Sequence, residues 1–236
     1  MEESIIELVN QFIKRFYPNA SVGMVGGSII HNQQNRESDI DLLIIDETQE
    51  SPHLSCYIFE DRKIEAFVFT ESALYYQFET ARYTGVPTII KICAEGIIVE
   101  DTDDLGGKVK KEAKSTLMNG MAMWSSEDFA KLRYKITDQL YDLRTCKDEG
   151  EQLFIVNNLI EGLSELVIRT DGNWMGIGKW RARCLKESNE EVYNKIVQNV
   201  DQFFSSHDHK RFSEFVEEIL SYYGGELFSN HKEMLF

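Results

Sequence analysis

The 236-residue chain is short of basic residues, prolines and cysteines. Lysine and arginine together number 25 against 40 aspartates and glutamates, giving a formal net charge of -15. Non-specific affinity for a phosphate backbone comes mainly from Lys and Arg neutralising phosphates, so this balance argues against nucleic acid as a partner. No Lys/Arg run of useful length offsets it. Three prolines and 15 glycines exclude a collagen-like or low-complexity chain. The four cysteines, Cys56, Cys93, Cys146 and Cys184, lie far apart with no CxxC pair and no histidine at zinc spacing. Ordinary thiols in a reducing compartment are expected, not disulfides or a zinc knot. No apolar run reaches membrane-spanning length, and the acidic start Met1-Glu2-Glu3-Ser4 is unlike a signal peptide, so a cytoplasmic protein is expected.

What the chain does have is 42% hydrophobic residues arranged in two kinds of pattern. Ile5, Leu8, Phe12 and Ile13 recur at helical spacing behind Ser4, which suits an N-cap. A short strand is expected over 21–25, and a buried one over 39–45, where Leu42-Leu43-Ile44-Ile45 follows Asp39-Ile40-Asp41. Two further runs, 56–60 and 63–69, flank Asp61-Arg62 as a tight hairpin. A helix over 71–83 and a strand at Ile97-Ile98-Val99 complete the first half. From about Leu105 the pattern turns helical. Phe129, Leu132, Ile136, Leu140 and Leu143 share one arc, as do Val156, Leu159, Ile160, Leu163 and Val167. With Gly150 between them, these predict an antiparallel helical hairpin, followed by helices over 190–204 and 211–223. The expected organisation is an α+β domain over 1–106 and an all-α helical bundle over 107–236.

The chemistry concentrates in Val25-Gly26-Gly27-Ser28 and, ten residues on, Asp39-Ile40-Asp41. Carboxylates at i and i+2 of a strand point to one face, so both can reach a single metal cluster while Ile40 anchors the strand in the core. Hard oxygen ligands suit Mg²⁺, which also holds nucleotide phosphates. Gly26 and Gly27 let backbone approach a triphosphate closely, and Ser28 offers a hydroxyl and N–H groups. Glu65 is the acidic residue inside the strand Lys63-Ile64-Glu65-Ala66-Phe67. A carboxylate in an apolar strand is costly without a partner, and a metal ion is one such partner. Each motif alone is more often a turn or a solvated strand end. Their order and combination carry the argument.

That combination resembles the signature of the DNA-polymerase-β-like nucleotidyltransferase superfamily. Lys63 to Phe67, the stretch from Gly85 to Ile98 leading to Asp101, and the helical second half are similar to its kanamycin (aminoglycoside) nucleotidyltransferase branch. The resemblance implies a nucleotidyltransferase-type mixed β-sheet with flanking helices, and a Mg²⁺-dependent enzyme with two ions held by Asp39, Asp41 and Glu65. Gly27 and Ser28 would bind the triphosphate of ATP or another NTP. Nucleoside monophosphate would pass to a hydroxyl of a small acceptor, an aminoglycoside-like cation in an antibiotic-resistance role being the case the branch suggests. Where members often carry Arg-Gly after Gly-Ser, this chain reads Ile29-Ile30-His31-Asn32-Gln33, leaving Arg36 as the nearby substitute. By the same resemblance Asp142, in Asp138-Gln139-Leu140-Tyr141-Asp142, is the candidate general base; a solvated face beside Lys131 and Lys135 is the plainer reading. Lys179, after Asp171-Gly172-Asn173-Trp174-Met175-Gly176-Ile177-Gly178, is a candidate phosphate contact, although that loop reads more plainly as a glycine C-cap with tryptophans closing a domain interface. A homodimer is compatible with the resemblance. The alternatives are a protein-modifying, antitoxin-type adenylyltransferase and a non-catalytic nucleotide-binding regulator of the same fold.

Overall fold

A computed structural model describes residues 3–27, 38–206, 208–229 and 231–232. The chain divides into two compact units, Met1–Met121 and Ala122–Phe236.

Unit 1 opens with α1 (Glu3–Phe16), then β1 (Val22–Gly26), β2 (Ile40–Ile45), β3 (His53–Phe59) and β4 (Arg62–Phe69). Helices α2 (Glu71–Thr84) and α3 (Thr88–Glu95), strand β5 (Ile97–Asp101) and α4 (Leu105–Asn119) complete it. The sheet order is β3-β4-β2-β1-β5, with β2 and β4 parallel and the other pairs antiparallel. It is the mixed sheet with flanking helices expected of an α+β fold.

One face of the sheet sends Ile40, Leu42, Ile44, Ile64, Ala66 and Val68 into a core shared with Ile5, Val9, Phe12 and Ile13 of α1. Burying a side chain the size of Phe12 contributes about 1.5–3 kcal/mol. The opposite face meets α2 and α3. Because α4 packs on α3, β5 and β1, it belongs to the first unit, which therefore ends at Met121 and not at residue 106. The β3–β4 turn also differs from the sequence reading. Phe59 pairs with Arg62, and Glu60 and Asp61 both take positive φ (48° and 59°). Two left-handed residues match the twist of the flanking strands, which is why the turn is Glu60-Asp61.

Unit 2 holds α5 (Ser126–Thr145), α6 (Glu149–Thr170), α7 (Lys179–Ser188), α8 (Glu190–Ser206) and α9 (His209–Tyr222). Ser125 and Asp128 form a reciprocal capping box at the start of α5. Asp148, not Gly150, marks the entry to α6: its side chain accepts from the Glu151 N–H, and Gly150 lies inside the helix. The core joins the α5 and α6 stripes to Phe203, Phe212, Phe215 and Leu220. Among the described residues no helix is long and apolar enough to cross a membrane.

Candidate active site

Four strands meet on one row of the sheet. Gly26 on β1 pairs with Asp41 on β2, Asp41 pairs with Glu65 on β4, and Glu65 pairs with Cys56 on β3. Paired residues share a face, so Asp41 and Glu65 stand side by side, with backbones about 4.8 Å apart. Asp39 precedes Asp41 by two residues and lies on that same face at the mouth of β2. Ile40, fully buried on the α1 side, fixes the orientation of both. All three carboxylates are half-buried. Like charges directly opposite one another on neighbouring strands repel.

The diglycine has two separate reasons. A Cβ on Gly26 would stand 2.9 Å from Cγ2 of Ile92, so its absence lets α3 pack against the end of β1. Gly27 turns the chain at φ +75°, where a Cβ would fall 1.8 Å from Oδ2 of Asp41. The Asp41 carboxylate thus rests against bare backbone, the kind of close approach that lets N–H groups face an anionic ligand.

Carboxylate oxygens are the kind of donor that a hard divalent ion takes. Asp41 and Glu65 supply adjacent carboxylate oxygens, and Asp39 adds a third on the same face. Among the described residues, no three His, Cys, Asp or Glu side chains form a group that could hold a metal ion; the strand register brings Asp41 and Glu65 side by side. Ser28 and Arg36 lie outside the described residues.

Asp39 and Glu65 line one depression of about 390 Å³, together with Cys56, Ile58 and Lys63. The position of Lys63 two residues before Glu65 places it on the carboxylate face, and period-two spacing was the signal available. Asp101 accepts a hydrogen bond from the Gly106 N–H at 2.8 Å and caps the start of α4.

The two candidates in unit 2 have different surroundings. Asp142 is exposed on α5, where Gln139 Nε2 donates to its Oδ2 at 3.4 Å. It borders a depression with Thr145, Cys146, Glu151 and Phe154, whereas Asp138 borders a separate one with Gln139, Asn158 and Glu161. Lys179 is exposed and opens α7, where the run of glycines predicts a loop. Gly178 precedes it at φ +55°. Leu185 is the one buried residue of α7, so no apolar stripe announced the helix.

The sequence matches no protein-family model and no curated protein. Among solved structures, it is similar to the crystal structure of a nucleotidyltransferase-like protein from Exiguobacterium sibiricum 255-15. That likeness has a TM-score of 0.52 at 12% identity, covering 92% of this chain and 73% of the other. It is a likeness of fold and singles out no branch, the aminoglycoside one included. With a five-stranded mixed sheet, flanking helices and a helical second unit, the chain has the α+β fold of that nucleotidyltransferase-like protein.

Proposed function

We propose that this protein is a nucleotidyltransferase that moves a nucleoside monophosphate from ATP or another NTP to an acceptor hydroxyl. The observation that carries the reading is the register of Asp41 beside Glu65, with the Gly27 backbone against the Asp41 carboxylate. The acceptor oxygen forms a bond to the α-phosphorus. The bond from that phosphorus to the bridging oxygen breaks, pyrophosphate leaves with the electron pair, and the hydroxyl proton passes to a carboxylate. Asp39, Asp41 and Glu65 would hold Mg²⁺, which when bound neutralises developing charge on the phosphate oxygens. The backbone at Gly26 and Gly27, with Ser28, Arg36 and Lys179, supplies the candidates for binding the triphosphate. Asp142 is the candidate for the base. Positioned acid–base groups contribute about 10²–10⁴-fold, so Asp142→Asn lowers kcat by that order if it has this role. An unchanged kcat removes Asp142 from the mechanism and leaves the rest standing.

The test is pyrophosphate release with Mg²⁺, each of four NTPs and a panel of hydroxylated acceptors. Turnover in the wild type and its loss, by at least about 10²-fold, in Asp41→Asn and Glu65→Gln is the expected result. Variants that turn over like the wild type would show that the chemistry happens elsewhere.

A further inference from the structure

The sheet of unit 1 ends in two unlike edges. β5 carries Glu100 and Asp101 and packs against α1 and α4. β3 has no Asp, Glu, Lys or Arg from His53 to Phe59, and among the described strands its one neighbour is β4. Native sheets ordinarily blunt a free edge with charge, proline or a covering element, because unpaired N–H and C=O groups recruit other strands. Here Pro52 stands just outside the strand and no proline lies within it. Phe59 and Arg62 flank the Glu60-Asp61 turn and form the first hydrogen-bonded pair of the hairpin. Bonded and non-bonded pairs alternate from there, so Leu54, Cys56 and Ile58 aim their N–H and C=O groups away from β4. Among the described residues no turn, loop or cap hydrogen bond takes up those groups.

The side chains of the same three residues are exposed, Leu54 to 51% and Ile58 to 80%. A half-solvated strand ordinarily turns polar side chains to water, so an apolar rail along a free edge marks a surface that meets another. Its symmetry points to what it meets. Cys56 is the middle of the seven residues, with Leu54 and Ile58 two positions to either side. A second copy laid antiparallel about Cys56 sets Leu54 against the partner's Ile58, Ile58 against the partner's Leu54 and Cys56 against the partner's Cys56. All six outward groups then pair. Sliding the register by two sets Ile58 against the partner's Pro52, which has no N–H, or Leu54 against the partner's Glu60 in the turn. Charge agrees with the centred register. At a net charge of -15, copies of the chain repel one another, and residues 51–59 are a stretch without acidic side chains. The two Glu65 residues would stand three strand spacings apart, about 14 Å, beyond the screening length at physiological salt.

We propose that β3 is the interface of a twofold homodimer, the two edges pairing antiparallel about Cys56 so that one sheet runs through both copies. Each copy offers one such edge, so the assembly closes at two. The interface is short, and association in the micromolar range is expected of it. Cys56 and Ile58 also border the depression of Asp39 and Glu65, which places the candidate site beside the interface. Pairing uses β3 alone and stands or falls apart from the nucleotidyl-transfer reading.

Sedimentation velocity of the full chain, from about 1 to about 100 μM, is expected to move from 27.4 kDa toward twice that mass. Amide hydrogen exchange at Leu54, Cys56 and Ile58 slows with it, about fivefold once the chain is at ten times the dissociation constant. A dimer formed elsewhere leaves those three amides unchanged. Leu54→Lys with Ile58→Lys sets like charges across each pair and weakens association at least about 10-fold. Leu54→Lys with Ile58→Glu sets opposite charges across the same pairs and restores it, a rescue specific to this register. Circular dichroism checks that both variants are folded, which the exposure of the two side chains favours. Cys56 gives a covalent readout. Cys93 is buried, and Cys146→Ser with Cys184→Ser leaves Cys56 as the exposed thiol. A short bis-maleimide then joins two chains, each Cys56 thiol adding across one maleimide double bond, and mass spectrometry reads the product. A chain that stays at 27.4 kDa at 100 μM leaves the edge to a strand of another protein and overturns the proposal. A dimer whose β3 amides exchange at the monomer rate overturns it too, as does one that both charge pairs weaken alike.

Discussion

Gly27 occupies a conformation and a space that no other residue tolerates. Left-handed backbone costs an alanine about 1–2 kcal/mol, and its Cβ would overlap the Asp41 carboxylate at 1.8 Å. Gly27→Ala is therefore expected to swing Asp41 off the shared row. Displacing a catalytic group by an ångström costs on the order of 10²-fold, so kcat/KM for nucleotidyl transfer falls by about that factor while circular dichroism stays native. An alanine variant with wild-type kinetics would mean that Asp41 has no part in the chemistry. Asp46, at the far end of β2, has a purely structural task. It is 1% exposed, and burial alone would raise its pKa; hydrogen bonds from the Thr48 hydroxyl, the Thr48 N–H and Gln49 Nε2 outweigh burial and bring it below the usual value. A lowered folded-state pKa adds stability that is complete above the unfolded value, about 3.9, and is lost as pH falls through the folded one. Denaturant midpoints measured from pH 6 to pH 2 should decline with a component that Asp46→Asn removes. Asp39, Asp41 and Glu65 were legible as candidates because carboxylates in apolar strands are conspicuous. That Asp41 and Glu65 are register partners was not, since β2 and β4 are non-consecutive and their parallel pairing is set by tertiary packing.

Elements with a strong apolar period were legible, and those held by polar contacts were not. α1, α5 and α6 each carry a stripe that the cores absorb, whereas α7 is basic, short and introduced by glycines. The segment after α9 is a similar case. Gly224 and Gly225 present carbonyls that accept from Arg133, the Leu227 N–H donates to Thr137 Oγ1 at 2.9 Å, and Tyr141 donates to Glu226. Arg144 pairs with both Glu226 and Glu217. Five residues of α5, at 133, 134, 137, 141 and 144, thus hold a strap that no hydrophobic pattern reveals, Tyr134 contributing by stacking on His231. Arg133→Ala leaves the partly buried Gly225 carbonyl, and the exposed Gly224 one, without their donor. Unpaired buried acceptors cost about 1–3 kcal/mol, which for a unit of this size corresponds to a midpoint lower by roughly 4–8 °C per kcal/mol. Thermal unfolding followed by tryptophan fluorescence measures it; a midpoint within a degree of wild type would show that the strap adds nothing to stability.

At the scale of the whole molecule, the carboxylate row and the tryptophans fall in different units. Asp39, Asp41, Glu65 and the glycine turn belong to residues 1–121, while Trp124, Trp174 and Trp180 all belong to residues 122–236. Each unit has its own buried cluster, one under α1 and one around α5 and α6. Tryptophan fluorescence therefore follows the helical unit, and far-UV circular dichroism follows both. A ligand that binds only the folded state stabilises by RT ln(1 + [L]/Kd), about 2.7 kcal/mol at one hundred times Kd. If Mg²⁺ and NTP bind through the carboxylates and the Gly27 turn alone, without Lys179, that stabilisation is delivered to the first unit. Adding both should raise the midpoint of the circular-dichroism transition by several degrees and leave the tryptophan midpoint in place; Asp41→Asn should remove the shift. A tryptophan midpoint that moves in step would show that the two cores unfold as one. A shift that persists in Asp41→Asn would place the nucleotide away from the carboxylate row, and the row would then be a solvated strand end, as each motif read alone suggests.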